Sequence, residues 1–385
     1  MRIAINLVGN ESWMGGIVYI RNLLQALRTL PDAEQKQHEI VLLVTSPSQS
    51  GLSASIVPLA DEVFNVSVAY RASKRLPMFL RKHIPAFANP TNCDVMFPVV
   101  EKHGYPFPYC GWIPDFQHEH LPQLSSKKQL KEFRDKYRVV SNAHLVVLSS
   151  EMAMDDFSRL YPDKKARGRV LKFASFAEPE YFTGDPREIQ KKYGLKDHFF
   201  LVSNQFWAHK NHGILIDAVT SLKNQGVEAC VVCTGNTVDF RNQDYFDDLC
   251  VRMEREGVSE NFKILGMIPR EDQMNLMRRS LAVIQPSLFE GWSTVVEDAK
   301  ALGKPLIVSD FDVHLEQVDQ SAWVFPRHDA EALSKCMSEA LAKLSPGPNS
   351  LKEQEARENN FLAMQSYARN FLSIMSEITK TDNKA

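Results

Sequence analysis

No stretch of the 385-residue sequence stays apolar for long enough to span a bilayer. The start, Met1 to Val8, reads as a strand and lacks the apolar core and cleavage site of a secretory leader, so no signal peptide is expected. A surplus of positive charge is missing too. The 45 Lys and Arg face 47 Asp and Glu, for a net charge of −2, which argues against a general nucleic-acid binder. The dinucleotide fingerprint G-x-G-x-x-G is absent, which makes a Rossmann oxidoreductase the least favoured reading. Cysteine is sparse: the six residues Cys93, Cys110, Cys230, Cys233, Cys250 and Cys336 are scattered, mostly in or beside apolar patterns. The simplest reading is a reduced, cytoplasmic chain. Cys230 and Cys233 form a C-x-x-C, but they lie in ACVVCTG, a strand pattern whose alternation sends them to opposite faces. No second C-x-x-C or His pair supports zinc.

What is present is an alternation of short apolar runs with helical patterns. The length predicts two or three domains. A first strand, Arg2 to Val8, leads through a loop with the pair Gly15-Gly16 into a helix that carries Ile17, Ile20, Leu23, Leu24, Leu27 and Leu30 on one face. Further strands are expected at Glu39–Val44, Val63–Val68, Asp94–Phe97, Cys110–Ile113, His144–Leu148 and Arg169–Phe173. The Pro-containing connection SFAEPEYF, residues 175–182, marks a boundary. Beyond it come strands at Phe199–Val202, Val227–Cys233, Phe262–Leu265, Leu281–Ile284, Leu306–Val308 and Ala322–Phe325. Helices at Asp244–Glu256, Arg270–Arg278, Asp329–Leu344 and Leu351–Ile378 accompany them. Two successive βαβ arrays predict an α/β protein of two doubly wound, Rossmann-like domains, 1–180 and 181–361.

The stretch LAVIQPSLFEGWSTVVEDAKALGKPLIVSD, residues 281–310, reads strand, loop, helix, strand. Gly291, Trp292 and Ser293 form the loop, and Thr294 opens the helix with Glu297 at capping-box spacing. Gly303 closes the helix and Pro305 forbids its return. The loop lies at the carboxyl end of a strand, where open parallel sheets bind ligands. Its free backbone N–H groups and the helix dipole favour an anion such as a diphosphate. Glu290 sits in the loop and Asp298 in the early helix, whereas Glu297 suits the helix dipole. A second strand-end loop, SNQFWAHKNHG at 203–213, places Lys210 as a point charge for phosphate. A third, WIPDFQHEHLP at 112–122, gathers Asp115, His118, Glu119 and His120. A metal there lacks an evident third ligand, and a polar loop is the plain alternative. Asp310-Phe311-Asp312 reads as a polar strand-end loop rather than a Mg²⁺ or Mn²⁺ site. YRASKRLPMFLRKHIP, residues 70–85, is basic and amphipathic. It suits a membrane surface, an anionic acceptor, or simply a solvated helix.

PSLFEGWSTVVEDAKALGKP resembles the signature of the retaining glycosyltransferases of GT-B fold, family 4: two acids eight positions apart, then a Gly-x-Pro pair. Glu290 matches the first acid and Asp298 the second, where the family usually has glutamate. The resemblance implies two Rossmann-like domains facing a central cleft, with a C-terminal helix, about 362–385, crossing back to the N-terminal, acceptor-side domain. It implies that Gly15 and Gly16 bring backbone near the donor phosphates and the acceptor. It further implies a His-Asp pair at the third loop, where Asp115 fits, Pro114 occupies the histidine's place and His118 could supply an imidazole. At the second loop the family carries an arginine and, five residues on, a lysine. Gln205 stands at the first place and Lys210 at the second, with His209 among the residues open to supplying the missing charge. Thr234-Gly235-Asn236 is another strand-end loop, and Gly266-Met267-Ile268-Pro269 is where the family stacks the nucleobase on backbone. The catalytic set so implied is Glu290, Lys210, Asp115 and His118. The donor set is Gly15, Gly16, Gln205, Lys210, Gly235, Ile268, Glu290, Gly291, Trp292, Ser293, Thr294 and Asp298.

The activity so implied moves a hexose from a nucleotide-diphosphate sugar to a glycan or lipid-linked acceptor, in surface or exopolysaccharide assembly. UDP-glucose or another UDP-hexose is expected ahead of GDP-mannose. The sugar nucleotide is a substrate, and neither a cofactor nor a metal is expected. Nucleic acid is not an expected partner, and residues 70–85 would provide any peripheral membrane contact. The rival readings are a nucleotide-sugar epimerase on the same fold and a non-catalytic sugar-nucleotide-binding subunit.

Overall fold

The computed structural model describes residues 1–9, 14–44, 54–65, 92–100, 108–239 and 241–382. Residues 70–85 and the strand end expected at 66–68 lie outside them. Tertiary contacts divide the chain into two units. One comprises Met1–Glu119, Ser126–Ala174 and Phe361–Ala385; the other comprises His120–Ser125 and Ser175–Asn360. The second unit therefore takes the whole 175–182 connection, because Ala177, Tyr181 and Phe182 pack into its core.

The first unit runs β1 (Arg2–Asn6), α1 (Met14–Arg28), α2 (Asp32–Gln35), β2 (Glu39–Val44), β3 (Glu62–Asn65), β4 (Val95–Val99) and β5 (Tyr109–Ile113). It continues with α3 (Gln117–His120), α4 (Lys127–Val140), β6 (Leu145–Leu148), α5 (Glu151–Leu160) and β7 (Arg167–Val170). Its described strands form a parallel sheet of order β3-β2-β1-β4-β5-β6-β7. β7 begins two residues before the apolar run suggests, because Arg167 pairs with Leu145 as β6 sets the register. Gly16 lies where α1 meets the end of β1. A Cβ there would come within 3.0 Å of Val8 and Gly9 backbone atoms, so the second glycine of the pair is needed for close packing.

The second unit runs α6 (Pro186–Lys192), β8 (Phe200–Ser203), α7 (His212–Asn224), β9 (Val231–Thr234), α8 (Tyr245–Arg255), β10 (Phe262–Ile264) and α9 (Arg270–Arg279). It continues with β11 (Val283–Gln285), α10 (Thr294–Ala301), β12 (Leu306–Ser309), α11 (Asp312–Gln317), β13 (Trp323–Phe325), α12 (Ala330–Lys343) and α13 (Ser350–Asp382). Its parallel sheet has the order β10-β9-β8-β11-β12-β13. Both faces are covered, which is why its strands read as unbroken apolar runs. Phe200, Val202, Val231, Cys233 and Ile284 face one layer with Leu215, Val219, Leu333 and Met337. Phe199, Leu201, Cys230, Val232 and Val283 face the other with Met274, Met277, Val296 and Leu302. Cys230 and Cys233 thus point to opposite faces of the sheet, as strand alternation requires.

α13 is a continuous helix of 33 residues. Its first turns belong to the second unit, where Glu353 pairs with the buried Arg278 at 2.7 Å. Gly303, at φ +63°, ends α10 against it: a Cβ there would lie 2.5 Å from Lys352 O. From Phe361 onward the helix belongs to the first unit. There Tyr367, Ala368, Phe371 and Met375 are buried, and Phe371 meets Phe97 edge-on at 5.3 Å.

Candidate functional site

The order of the second sheet reverses between β8 and β11, and open α/β sheets hold ligands outside the carboxyl ends at such a point. The loops after these two strands are joined. Leu288 N donates to His209 O at 2.8 Å, and Asn211, at φ +57°, donates from Nδ2 to Pro286 O at 3.2 Å. That left-handed residue lets a 3₁₀ turn, Ala208–Lys210, pass directly into α7. Lys210 Nζ consequently donates to Glu290 Oε1 at 2.6 Å.

The same oxygen accepts from Gln285 Nε2 at 2.7 Å, and Asn204 Nδ2 donates to Gln285 Oε1 at 2.8 Å. Lys210 and Glu290 side chains are 15% and 10% exposed. Burial pushes the Glu290 carboxyl up, but the Lys210 ammonium outweighs it and holds the group below the usual glutamate range. His314 is kept neutral by burial, with a pKa lowered to about 4, and it sits beside Ser309 Oγ at 2.9 Å.

The start of α10 differs from the expected capping box. Ser293, not Thr294, is the cap: its hydroxyl accepts from Val296 N. Glu297 does not reach back. It is buried, which raises its pKa, and it accepts from Lys300 and Gln317. Gln317 also closes the loop, accepting from Ser293 N and donating to Ser293 O, both at 3.0 Å. The Ser293 amide is therefore already bonded and not open to a phosphate. The amides of Thr294 and Val295, the first two of the helix, have no acceptor within it.

Asp298 is buried on α10, and its Oδ1 accepts from Arg270 Nη2 at 2.6 Å. Arg270 is the first residue of α9, directly after the loop that holds Ile268. Its Nη1 donates to Gln273 Oε1 at 2.9 Å, Gln273 donates to Ser203 Oγ, and Ser203 bonds Thr234 Oγ1 at 2.9 Å. The chain of side chains thus runs from α10 to the ends of β8 and β9. Gly235, at φ +132°, follows β9; a Cβ there would lie 2.2 Å from Asn204 O. Its amide donates to Gly266 O at 2.8 Å. So Gly235 presses the loops after β8, β9 and β10 together, next to Gln205.

His209 does not replace the arginine charge that Gln205 lacks. Burial, reinforced by Lys210 and Arg241, drives its pKa well below the ordinary value, so the ring is neutral. Arg241 stacks over Trp207 at 5.2 Å and pairs with Asp239. Asp310 accepts from Arg327, and Asp312 begins α11. Among the described residues no group of three or more His, Cys, Asp or Glu is placed to hold a metal ion. In the first unit, Asp115 Oδ1 accepts from Gln117 N at 2.8 Å at the start of α3. His118 is buried against Phe133 and Tyr137, with ring centroids 5.1 and 5.2 Å away. Gly16 is buried, whereas Gly15 lies exposed on the first turn of α1.

Sequence reasoning passed over Gln285, Gln317, Arg270 and Asn204. Gln285 carried a signal, being a polar residue that ends an apolar strand at zero exposure. Gln317 and Arg270 carried none, because their partners lie 24 and 28 residues away on other elements.

Residues 185–358 match the family model "Glycosyl transferases group 1". The Bacillus subtilis (strain 168) protein EpsF, named as a glycosyltransferase, is 31% identical over 108 residues, 28% of this chain and 26% of that one. The chain thus spans about a quarter of the length of the curated relatives it matches. Among solved structures, Anabaena Alr3699/HepE in complex with UDP and glucose superposes with a TM-score of 0.69 at 16% identity, covering 98% of this chain and 99% of that one. Sucrose-phosphate synthase of Thermosynechococcus elongatus gives 0.65 at 15%, covering 100% and 98%. Two parallel α/β units and these neighbours give the chain the GT-B fold, and the similarities support a glycosyltransferase.

Proposed function

We propose that the protein is a metal-independent, retaining glycosyltransferase of family 4, moving a hexose from a nucleotide-diphosphate sugar to a glycan or lipid-linked acceptor. The observation that carries this reading is the Lys210–Glu290 pair at the strand-order reversal, beside the amides of Thr294 and Val295. The bond from C1 to the diphosphate breaks as charge gathers on the departing phosphate. Lys210 and the two amides stabilise that charge, which is where preorganised donors act most strongly. The acceptor oxygen bonds to C1 from the same face, and its proton passes to the departing phosphate.

Glu290, fixed by Gln285, receives sugar hydroxyls and orients C1. Gln205 donates hydrogen bonds to phosphate without charge, and Asp298 takes the ribose. The backbone at Ile268 faces the base, and Gly235, Gly291 and Trp292 complete the donor side. Gly15, Gly16 and Asp115 serve the acceptor side. The HepE structure with UDP and glucose supports uridine as the first nucleoside to try, with GDP-mannose second. Among the described residues no helix is long and apolar enough to cross a membrane. We assign the enzyme to the cytoplasm and its product to surface or exopolysaccharide assembly; any peripheral membrane contact would fall to the basic residues 70–85.

The test is turnover of UDP-glucose and GDP-mannose by EDTA-treated protein, with the anomeric configuration of released or transferred sugar read by NMR. The reading expects an α-linked donor to give an α product without added metal. An inverted product, or a strict metal requirement, contradicts it. Binding without turnover on any acceptor supports the non-catalytic subunit instead.

A further inference from the structure

We infer that Arg270 is a positioning residue for the nucleoside end of the donor, acting through Asp298. The inference rests on the proposed sugar-nucleotide reading of the site. Asp298 is 3% exposed in its side chain, whereas Arg270 is 36% exposed, so this is not an ordinary surface ion pair. The buried partner is fixed by a cation that reaches in from the edge. Arg270 is itself fixed from two directions. Pro269 restrains the backbone just before it, and Gln273 holds Nη1 at 2.9 Å while Nη2 reaches Asp298 Oδ1 at 2.6 Å. Gln273 is in turn bonded to Ser203, which bonds Thr234. A side chain tied this way loses little further freedom when a ligand arrives.

The geometry divides the Asp298 carboxylate. Oδ1 is committed to Arg270, which leaves Oδ2 for vicinal hydroxyls. An aspartate at this place is one methylene shorter than the glutamate of the family pattern. Anchoring from the opposite side, at the foot of the loop expected to face the base, sets where the short carboxylate stands. The charge of Arg270 is offset by its partner, so its effect should follow the ribose hydroxyls and not the phosphates.

The experiment is isothermal titration of the full-length, EDTA-treated protein with UDP, GDP and their 2′,3′-dideoxy counterparts, using wild type, R270Q and R270K. The inference expects R270Q to weaken the preferred ribonucleotide about tenfold while leaving its dideoxy form within about twofold. R270K, which keeps the charge on Asp298, should recover part of the loss. In steady state the change should appear in the donor KM and not in kcat. Equal weakening of the ribo and dideoxy forms would assign Arg270 to base or phosphate and overturn the inference. Unchanged binding would overturn it as well. R270K has the same two readings if R270Q does not fold. If neither UDP nor GDP binds wild type, the nucleotide reading itself fails, and the role of Arg270 fails with it.

Discussion

Lys210 Nζ and Glu290 Oε1 lie 2.6 Å apart, although 80 residues separate them in the chain. The reversal of strand order between β8 and β11 brings them together. Both side chains are nearly buried, so each is the other's main compensation. Removing one member of such a pair leaves an unpaired charge, at a cost of about 3–5 kcal/mol. K210M should therefore lose about 3 kcal/mol in urea denaturation. K210M/E290Q should lose less than the sum of the two single changes, because the second removes the stranded charge. Additive losses would show that the pair is not coupled.

Gly235 supports a second expectation. Its φ of +132° and the 2.2 Å approach of a Cβ to Asn204 O leave no room for a side chain. Gly235→Ala should cost more than about 2 kcal/mol and should separate the loops after β8, β9 and β10. Nucleotide affinity should fall with stability. An alanine variant that melts like wild type would contradict the close approach.

Gln317 ties three groups: Ser293 N, Ser293 O and Glu297 Oε1. Q317L should cost about 2–4 kcal/mol, since it leaves buried polar atoms without partners. The loss should depend on pH. Burial raises the pKa of Glu297 in the folded state, so its ionised form is already disfavoured there. Without Gln317 the penalty for ionising it grows, and it applies above the unfolded carboxylate pKa of about 4.3. The variant should thus lose more stability at pH 8 than at pH 4.5, as a denaturant series at both values would read.

His212 is expected to make the fold acid-sensitive. Its ring stacks on Phe206 at 4.1 Å, and among the described residues neither ring nitrogen has a hydrogen-bond partner. Burial lowers its pKa from 6.5 to about 3. The folded pKa is depressed, so the contribution is whole above pH 6.5 and is lost progressively as pH falls toward about 3. Between pH 8 and pH 5 this histidine alone should account for about 2 kcal/mol of lost stability. H212F, which keeps the stacking, should be less sensitive over that interval. An unchanged pH profile would refute the assignment.

Much of this was legible in the chain itself. Continuous apolar runs such as Phe199–Val202 announced strands covered on both faces, and Gly303 with Pro305 marked the end of α10. The loop at Glu290 could be placed at a strand end because Pro286 stops β11 just before it. What could not be read was who bonds whom. Thr294 and Glu297 have the spacing of a capping box, yet Ser293 takes the cap and Gln317 takes the Ser293 amide. Such competition is decided by packing between α10 and α11, which periodicity does not encode. His118 shows the same limit: a histidine after a strand suits a site or a core equally, and its ring contacts with Phe133 and Tyr137 are not written in the spacing. The Arg270–Asp298 contact depends on how α9 meets α10 across the sheet end.

The most direct test of the central claim separates the two members of the pair by calorimetry and turnover on the same preparations. For wild type, K210M and E290Q, one measures the affinity for UDP and the rate of sugar transfer, with folding checked by melting. The account predicts that K210M loses UDP affinity at least tenfold, because it removes the phosphate's cation. E290Q should bind UDP nearly as wild type does while transfer falls by about 10²-fold or more. Full transfer by E290Q, or unchanged UDP binding by K210M, would contradict the assignment of sugar to Glu290 and of diphosphate to Lys210.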